Sequence, residues 1–433
     1  MYRISLQKAK KEEKMKKGIR HLAIMTITAC MSVVFPSALR AQRHEILSPE
    51  IRTLQVVAGQ DWLGMPIITI GEGEAINIAF DDMSHNYRRY TYNIEHCEAD
   101  WSVSPGLFET DYIDGFYNGL TIDDYEESLN TAELYTHYRL RIPNSLCRLK
   151  LSGNYRLTVI DDDEGKPVAR CCFMVLDRKF GVGLEMTTNT DVGFNKSHQQ
   201  VNVKLQYNGV SVTNPERQVK GIVMQNNRWS TARRISRAQF RNAEGMAWQH
   251  CHDLIFPATN EYRKFEYLDL HRNSMGVDHT DFDGKDYHVW LYTDEPRPNY
   301  IYDEDADGAF YIRNTDNSNN DTESEYFVCH FTYKASVPFD GDVYLNGQWT
   351  LDRTLPQYKM EYDPEQGMYH CAVRLKMGYY SYQYLLEQKD GETTVLPSDG
   401  NFYQTENRYG CLVYYRPTGG RTDLLYGFGE TGR

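Results

Sequence analysis

Val201-Asn202-Val203-Lys204-Leu205-Gln206-Tyr207-Asn208-Gly209 is the stretch from which the fold can be read. Val201, Val203, Leu205 and Tyr207 fall on one side of an extended chain and Asn202, Lys204 and Gln206 on the other, because successive side chains of a strand point to opposite faces. Asn208-Gly209 then supplies two residues that accept positive φ, the backbone of a tight turn. The same grammar recurs. Ile76, Ile78 and Phe80 alternate with Asn77 and Ala79, and Tyr155, Leu157 and Val159 alternate with Arg156 and Thr158. Asp283-Gly284, Asp307-Gly308, Asp340-Gly341, Asn346-Gly347 and Asp390-Gly391 stand between such runs as hairpin signals. No stretch sustains a 3.6-residue apolar period, and 33 Tyr suit the pleated surface of a sheet. The chain is expected to be all-β, a set of tandem β-sandwiches.

Ahead of this pattern lies a basic segment, with Lys8, Lys10, Lys11, Lys14, Lys16, Lys17 and Arg20, followed by an apolar run from Leu22 to Val34 and the small residues Ser37, Ala38 and Ala41. That order is the order of a signal peptide, read here as residues 1–41 with cleavage before Gln42. A membrane anchor needs about 20 apolar residues, and Pro36 and Arg40 cut this run short. Lipidation at Cys30 is the competing reading, because small residues precede that cysteine. Of 47 basic and 60 acidic residues, nine and two lie in residues 1–41, which leaves 38 and 58 and a net charge of −20. Nucleic acid is a poor partner for such a surface. No later run reaches membrane-spanning length, so no span is expected after cleavage.

About 390 remaining residues are enough for two or three cores. The strand runs divide into an N-terminal β-sandwich over residues 42–178, closed by a hairpin at Asp161-Asp162-Asp163-Glu164-Gly165, and a middle β domain over 179–313. Residues 314–325 are so polar that a linker burying nothing is expected there. A C-terminal domain with its tail occupies 326–433. Its order of Val343-Tyr344-Leu345-Asn346-Gly347-Gln348-Trp349, Gly367-Met368-Tyr369 and Gly378-Tyr379-Tyr380-Ser381-Tyr382-Gln383-Tyr384 resembles early-set immunoglobulin-like sandwiches, including glycogen-binding modules. The eight cysteines Cys97, Cys147, Cys171, Cys172, Cys251, Cys329, Cys371 and Cys411 show no metal-finger spacing and are expected to be buried thiols.

Few residues point to chemistry. Asp303-x-Asp305-x-Asp307-Gly308 begins like a calcium loop, but Asn314 stands at the twelfth position, where a bidentate Glu is needed, so an acidic hairpin turn is the better reading. His250 and His252 would share one side of a strand and face a metal together, without a third ligand. Paired acids such as Asp81-Asp82, Asp123-Asp124 and Glu126-Glu127 could in principle work on glycosides, yet no nucleophile elbow, zinc helix, phosphate loop or dinucleotide fingerprint accompanies them. No catalytic residue and no cofactor is expected. Trp349 with Tyr380, Tyr382 and Tyr384 offers an aromatic face for sugar stacking, which makes a carbohydrate-binding C-terminal sandwich the alternative reading.

One resemblance covers nearly all of the chain after residue 41. Ile51-Arg52-Thr53-Leu54-Gln55, Phe80-Asp81-Asp82, Tyr92 to Trp101, Tyr112-Ile113-Asp114-Gly115-Phe116 and Leu151-Ser152-Gly153-Asn154-Tyr155 are similar to blocks of the type IX secretion system plug protein family. Gln225-Asn226-Asn227-Arg228-Trp229, Asn260-Glu261-Tyr262-Arg263, the Gly378 to Tyr384 block and Leu412-Val413-Tyr414-Tyr415-Arg416 continue it, with Met377 where Gln is usual. The resemblance implies a non-catalytic periplasmic protein, peripherally associated with the outer membrane. Such a protein docks on the giant outer-membrane β-barrel translocon and closes its periplasmic opening when no cargo is present. Trp101, Tyr112, Trp229 and Trp349 lie in or beside these blocks and suit a core as well as an interface. Intact-mass spectrometry of the exported protein is expected to give a chain beginning at Gln42; a lipid-modified mass beginning at Cys30 would replace that reading.

Overall fold

The computed structural model describes residues 44–235 and 237–432. The expected leader, residues 1–41 with Cys30, lies outside them. Nearly every element is a strand, and the longest helices among the described residues, Glu109–Tyr112 and Pro215–Gln218, have four residues each. The protein is all-β, as the alternation demands.

The strands build three sandwiches, each with its own apolar cluster. In the first, Ile51–Ala58, Ile76–Asp82, Thr136–Ile142 and Asp124–Glu127 form one sheet. The opposing sheet is built on Tyr90–Cys97, Gly153–Asp161 and Lys166–Leu176. The inward side chains Ile76, Ile78, Phe80, Tyr92, Ile94, Tyr155, Leu157 and Val159 close the core between them. The hairpin read at Asp161 to Gly165 is present, with Gly153–Asp161 and Lys166–Leu176 paired antiparallel across it. Ile51–Ala58 departs from plain alternation: Thr53 takes φ 49° and the register slips between Arg52 and Gln55, so Leu54 rather than Thr53 turns into the core.

The second and third sandwiches are interleaved along the chain, which changes the boundaries expected from sequence. Val219–Gln225 in the middle of the protein pairs along its whole length with Tyr409–Tyr415, which in turn pairs with Leu424–Thr431. The C-terminal strands thus complete the middle sandwich, and Tyr409, Cys411 and Val413 share a core with Val201, Val203, Leu205 and Val223. Conversely Arg263–Tyr267, Val277–Phe282, Tyr287–Leu291 and Phe310–Ile312, expected in the middle domain, belong to the third sandwich, where Phe265, Val289 and Phe310 pack with Phe331, Tyr380 and Tyr384. A break at 313 cannot be seen as a domain edge because strand partners there are distant in sequence.

Residues 314–325 also depart from expectation. Thr322, Ser324 and Glu325 are buried. Leu129 N–H donates to the Thr322 carbonyl (2.9 Å) and the Tyr135 hydroxyl to that of Ser324 (2.9 Å). Glu325 accepts the Ala132 and Glu133 amides. The end of the segment, from Thr322 to Glu325, is a strap on the first sandwich, where two backbone carbonyls and the Glu325 carboxylate find their partners, while residues 315–319 are exposed.

Turn glycines separate into two kinds. Gly284 and Gly391 take φ 98° and 85° between antiparallel neighbours. Gly347 is extended, and a Cβ there would meet Trp349 Nε1 at 2.5 Å and the Ser381 carbonyl at 2.8 Å, so Asn346-Gly347 marks a close approach instead of a hairpin turn. All eight described cysteines are buried; burial pushes the Cys147 thiol up to about 11 and Cys97 up to about 12. Because strands 409–415 and 424–431 close the middle sandwich, a chain ending at Arg408 is expected to lose cooperative unfolding of that part. The isolated segment 326–433 is expected to be unfolded by circular dichroism. A folded, sharply melting 326–433 would contradict the interleaving.

Candidate functional site

The family-like blocks are distributed over the three sandwiches, and the structure brings most of them to the places where sandwich meets sandwich. Phe80-Asp81-Asp82 closes the strand Ile76–Asp82. Phe80 points into the first core, so Asp81 must point outward. It meets no water. The third sandwich covers it, and Asp81 is 0% exposed and Lys376 1%. Lys376 Nζ donates to Asp81 Oδ2 at 2.7 Å, the Tyr326 hydroxyl to the same oxygen at 2.6 Å, and His137 Nδ1 to Oδ1 at 2.5 Å. Lys376 also donates to the Asp321 carbonyl (2.6 Å) and lies 4.1 Å from the Tyr135 ring centre. Thr53, lifted outward by its bulge, hydrogen-bonds the Tyr326 hydroxyl at 2.5 Å. Burial by itself would raise the Asp81 carboxyl, but the charge of Lys376 and the His137 contact hold it below the usual carboxylate range.

A second ionic cluster joins the first sandwich to the middle one. Arg416 spans Glu98 and Asp423, its Nε donating to Asp423 Oδ1 at 2.9 Å, and Lys220 Nζ reaches Asp423 Oδ2 at 2.7 Å. Asp423 Oδ2 also accepts the Ala99 amide, and Glu98 accepts the Asp423 amide. Burial followed by the charge of Asp423 raises Glu98. His96, pushed down to about 4 by burial, donates from Nε2 to the Ser152 carbonyl and accepts the Ser104 hydroxyl at Nδ1. Beside these groups the Trp101 and Trp229 rings meet edge to face at 5.5 Å and 88°.

The middle and third sandwiches are joined by Arg228 Nε donating to Asp352 Oδ1 at 2.9 Å, and by Asn260 Nδ2 donating to the Asp399 carbonyl at 2.8 Å. Arg263 ties Asp294 (2.8 Å) to Asp399 (2.9 Å). The block Gln225 to Trp229 and Asn260 therefore serve this junction, while Arg263 holds parts of the third sandwich together.

The residues expected to carry chemistry are placed apart. Asp303 pairs with Lys264 at 2.6 Å. Asp305 accepts the Tyr262 and Asp307 amides, and Asp307 lies 3.8 Å from Arg408 Nε. Burial, then Asp307 beside it, raises Asp305 to about 7, a poor start for a calcium ligand. His250 and His252 do not share a strand face, because His250 sits at φ 49° and His252 opens a 3-10 turn, His252–Leu254. Positive φ breaks the alternation on which that expectation rested. The aromatic face is buried as well: Tyr380, Tyr382, Tyr384 and Trp349 line the third core, with the Tyr382 and Tyr384 hydroxyls on Asp294 and Trp349 Nε1 on the Ser381 carbonyl. No sugar can stack on it. Trp101, Trp229 and Tyr112 are likewise buried, Tyr112 donating to the Ile94 carbonyl.

What sequence reasoning missed is an exposed apolar edge on the first sandwich. Ile113–Gly115 pairs with Cys147–Leu149, and Phe116 N–H donates to the Leu146 carbonyl at 2.9 Å. Gly115 takes φ 113°, and a Cβ there would lie 2.1 Å from that carbonyl oxygen, so glycine is required for the approach. The consequence is that Phe116 (62% exposed) and Leu146 (52%) stand together in solvent, with Phe108 (71%) on the preceding loop. Its signal in the sequence is the Asp114-Gly115-Phe116 end of a family-like block.

A family profile described as "Type 9 secretion system plug protein 1st domain" matches residues 51–177. A protein from Parabacteroides merdae, solved by crystallography as a hypothetical protein, is 37% identical. The match covers 90% of this chain and 99% of that one, with a TM-score of 0.87. The chain belongs to the type IX secretion system plug protein family. This plug-family protein is thereby associated with type IX secretion, and the family suggests a structural role in the cell envelope. No curated protein matches it. The C-terminal domains of Streptococcus pyogenes AspA and Streptococcus agalactiae BspA align over most of the chain at 8% and 7% identity, each with a TM-score of 0.17. No helix of the described residues is long and apolar enough to cross a membrane.

Replacing Asp81 by Ala would leave the Lys376 ammonium buried without its counter-ion and is expected to cost about 3–5 kcal/mol in urea denaturation. Adding Lys376→Met should recover part of the loss. A cost below about 1 kcal/mol would mean that water reaches the pair.

Proposed function

We propose that this protein is a non-catalytic periplasmic plug that docks on the outer-membrane β-barrel translocon of type IX secretion and closes its periplasmic opening when no cargo is present. The observation that carries the reading is the 37% identity over nine-tenths of the chain to a like-folded relative, joined to the plug-family match over the first sandwich. Geometry supports it in two ways. A body that blocks an opening must keep its shape under load, and the ionic junctions tie the three sandwiches together. Docking also needs an apolar anchor inside a polar border, and the Phe108, Phe116 and Leu146 edge has that character, with Arg148 paired to Asp114 and Arg421 to Asp111 around it. The edge stands on a paired strand and a glycine-dependent turn, so its side chains are held before any partner arrives.

Purification of the tagged protein in mild detergent is expected to bring down a very large outer-membrane barrel protein. Phe116→Asp with Leu146→Asp should reduce that recovery at least about tenfold while leaving the melting temperature unchanged, because both side chains are exposed. Recovery of the wild type as a free protein, with outer-membrane permeability unaltered on deletion, would overturn the docking role. Undiminished recovery of the double variant would move the docking surface elsewhere.

A further inference from the structure

The outer face of the third sandwich carries a group of rings that neither the junctions nor the apolar edge uses. His279 comes from Val277–Phe282, His288 and Trp290 from Tyr287–Leu291, and His330 from Tyr326–Lys334. Trp290 lies directly opposite His330 across a parallel ladder and opposite His279 across an antiparallel one. The indole stacks on His330 at 3.8 Å and 8°, and His279 stacks on the indole at 5.7 Å and 9°. His330 is therefore held flat by its neighbours. Its Nε2 donates a hydrogen bond to His288 Nδ1 at 2.8 Å, through the proton that a bound cation would replace.

We infer that His288 Nδ1 and His330 Nε2 form a two-imidazole site for a divalent transition cation that favours square-planar coordination, Cu2+ ahead of Ni2+. In such a complex nitrogens bind at about 2.0 Å, so two adjacent ones stand about 2.8 Å apart, the separation these two already have. The other nitrogen of His288 faces a carboxylate: Nε2 lies 3.3 Å from Asp283 Oδ2. That arrangement, carboxylate to imidazole to metal, sets the tautomer that leaves Nδ1 with its lone pair free.

Asp283 is itself fixed. It belongs to the Asp283-Gly284 hairpin, and its Oδ1 accepts the Lys285 and Asp286 amides at 2.8 Å each, which turns Oδ2 toward the ring. Asp281 stands opposite His288 across the ladder and adds negative charge beside the site. His288 is about a quarter exposed, which gives the cation a way in. Among the described residues no three His, Cys, Asp or Glu side chains are gathered as a cage, so the remaining coordination positions go to water. On binding, His330 Nε2 gives its proton to solvent while Nδ1 of the same ring takes one up, so the imidazole stays neutral and its Nε2 lone pair faces the cation; no redox change is involved.

The test is titration of the mature chain with Cu2+ alone, with the amino terminus acetylated so that the amine cannot bind copper together with His44. Expected are about one Cu2+ per chain, an electron paramagnetic resonance spectrum with coupling to two imidazole nitrogens, and quenching of the Trp290 fluorescence. His288→Asn and His330→Asn should each weaken uptake at least about tenfold, and Asp283→Asn about tenfold through the ring it orients. Uptake that survives both histidine substitutions, or none by the wild type at micromolar Cu2+, overturns the assignment. The wild-type spectrum decides by itself should a variant fail to fold, because a signal without two imidazole nitrogens overturns it too.

Discussion

Lys376 carries an ammonium group into the contact between two sandwiches, and the arrangement of the molecule depends on how that charge is met. Taking an ion of this kind out of water costs several kcal/mol, and a buried pair recovers the cost when its geometry is good and its remaining hydrogen-bonding capacity is used. Asp81 supplies the counter-charge, and His137, Tyr326 and the Asp321 carbonyl take up what is left. A sandwich that slid or rotated against its neighbour would leave at least one of these groups buried and unmatched. Apolar contact tolerates such sliding far better, since it is non-directional. The pair therefore contributes specificity of arrangement more than net stability.

The same device is repeated at the Glu98, Arg416, Asp423 cluster and at Arg228 with Asp352. Interleaving adds a second constraint, because the chain leaves the middle sandwich after Pro257, builds the third, and returns at Tyr409 to finish the middle sheet. The third sandwich is a contiguous insertion, and the middle one cannot complete its sheets until the chain has passed through it. For a protein proposed to act by filling an opening, this is the relevant property. Shape is held by topology and by ion pairs between sandwiches, of which Asp81 with Lys376 is sealed from water and is screened little by added salt.

Much of the fold was legible in the chain. The strands at Ile76, Tyr155 and Val201, the Asp161 hairpin and the all-β class follow from period-two alternation and turn chemistry, which are local. The misreadings share a physical origin. Thr53 and His250 adopt positive φ, which resets alternation at a single residue and leaves no mark in composition. In the polar run 314–325, residues 315–319 face solvent while Thr322, Ser324 and Glu325 are buried against another sandwich, and polarity alone does not tell water from a protein partner. Tyr380, Tyr382 and Tyr384 alternate in the way a binding face would, yet the same alternation lines a core.

The sequence by itself determined that the chain is extended, which side chains share a face, and, through its ordered blocks, the family. Tertiary structure decided which outward faces see solvent. Asp81, His137, Tyr326 and Lys376 all stand on the outward side of their strands, where alternation would expose them, and packing of sandwich on sandwich buries them. Phe116 and Leu146 are apolar and yet remain in water. Period two distinguishes the two sides of a sheet. Whether the outer side meets water or another domain depends on contacts between residues hundreds of positions apart, and no local pattern encodes those.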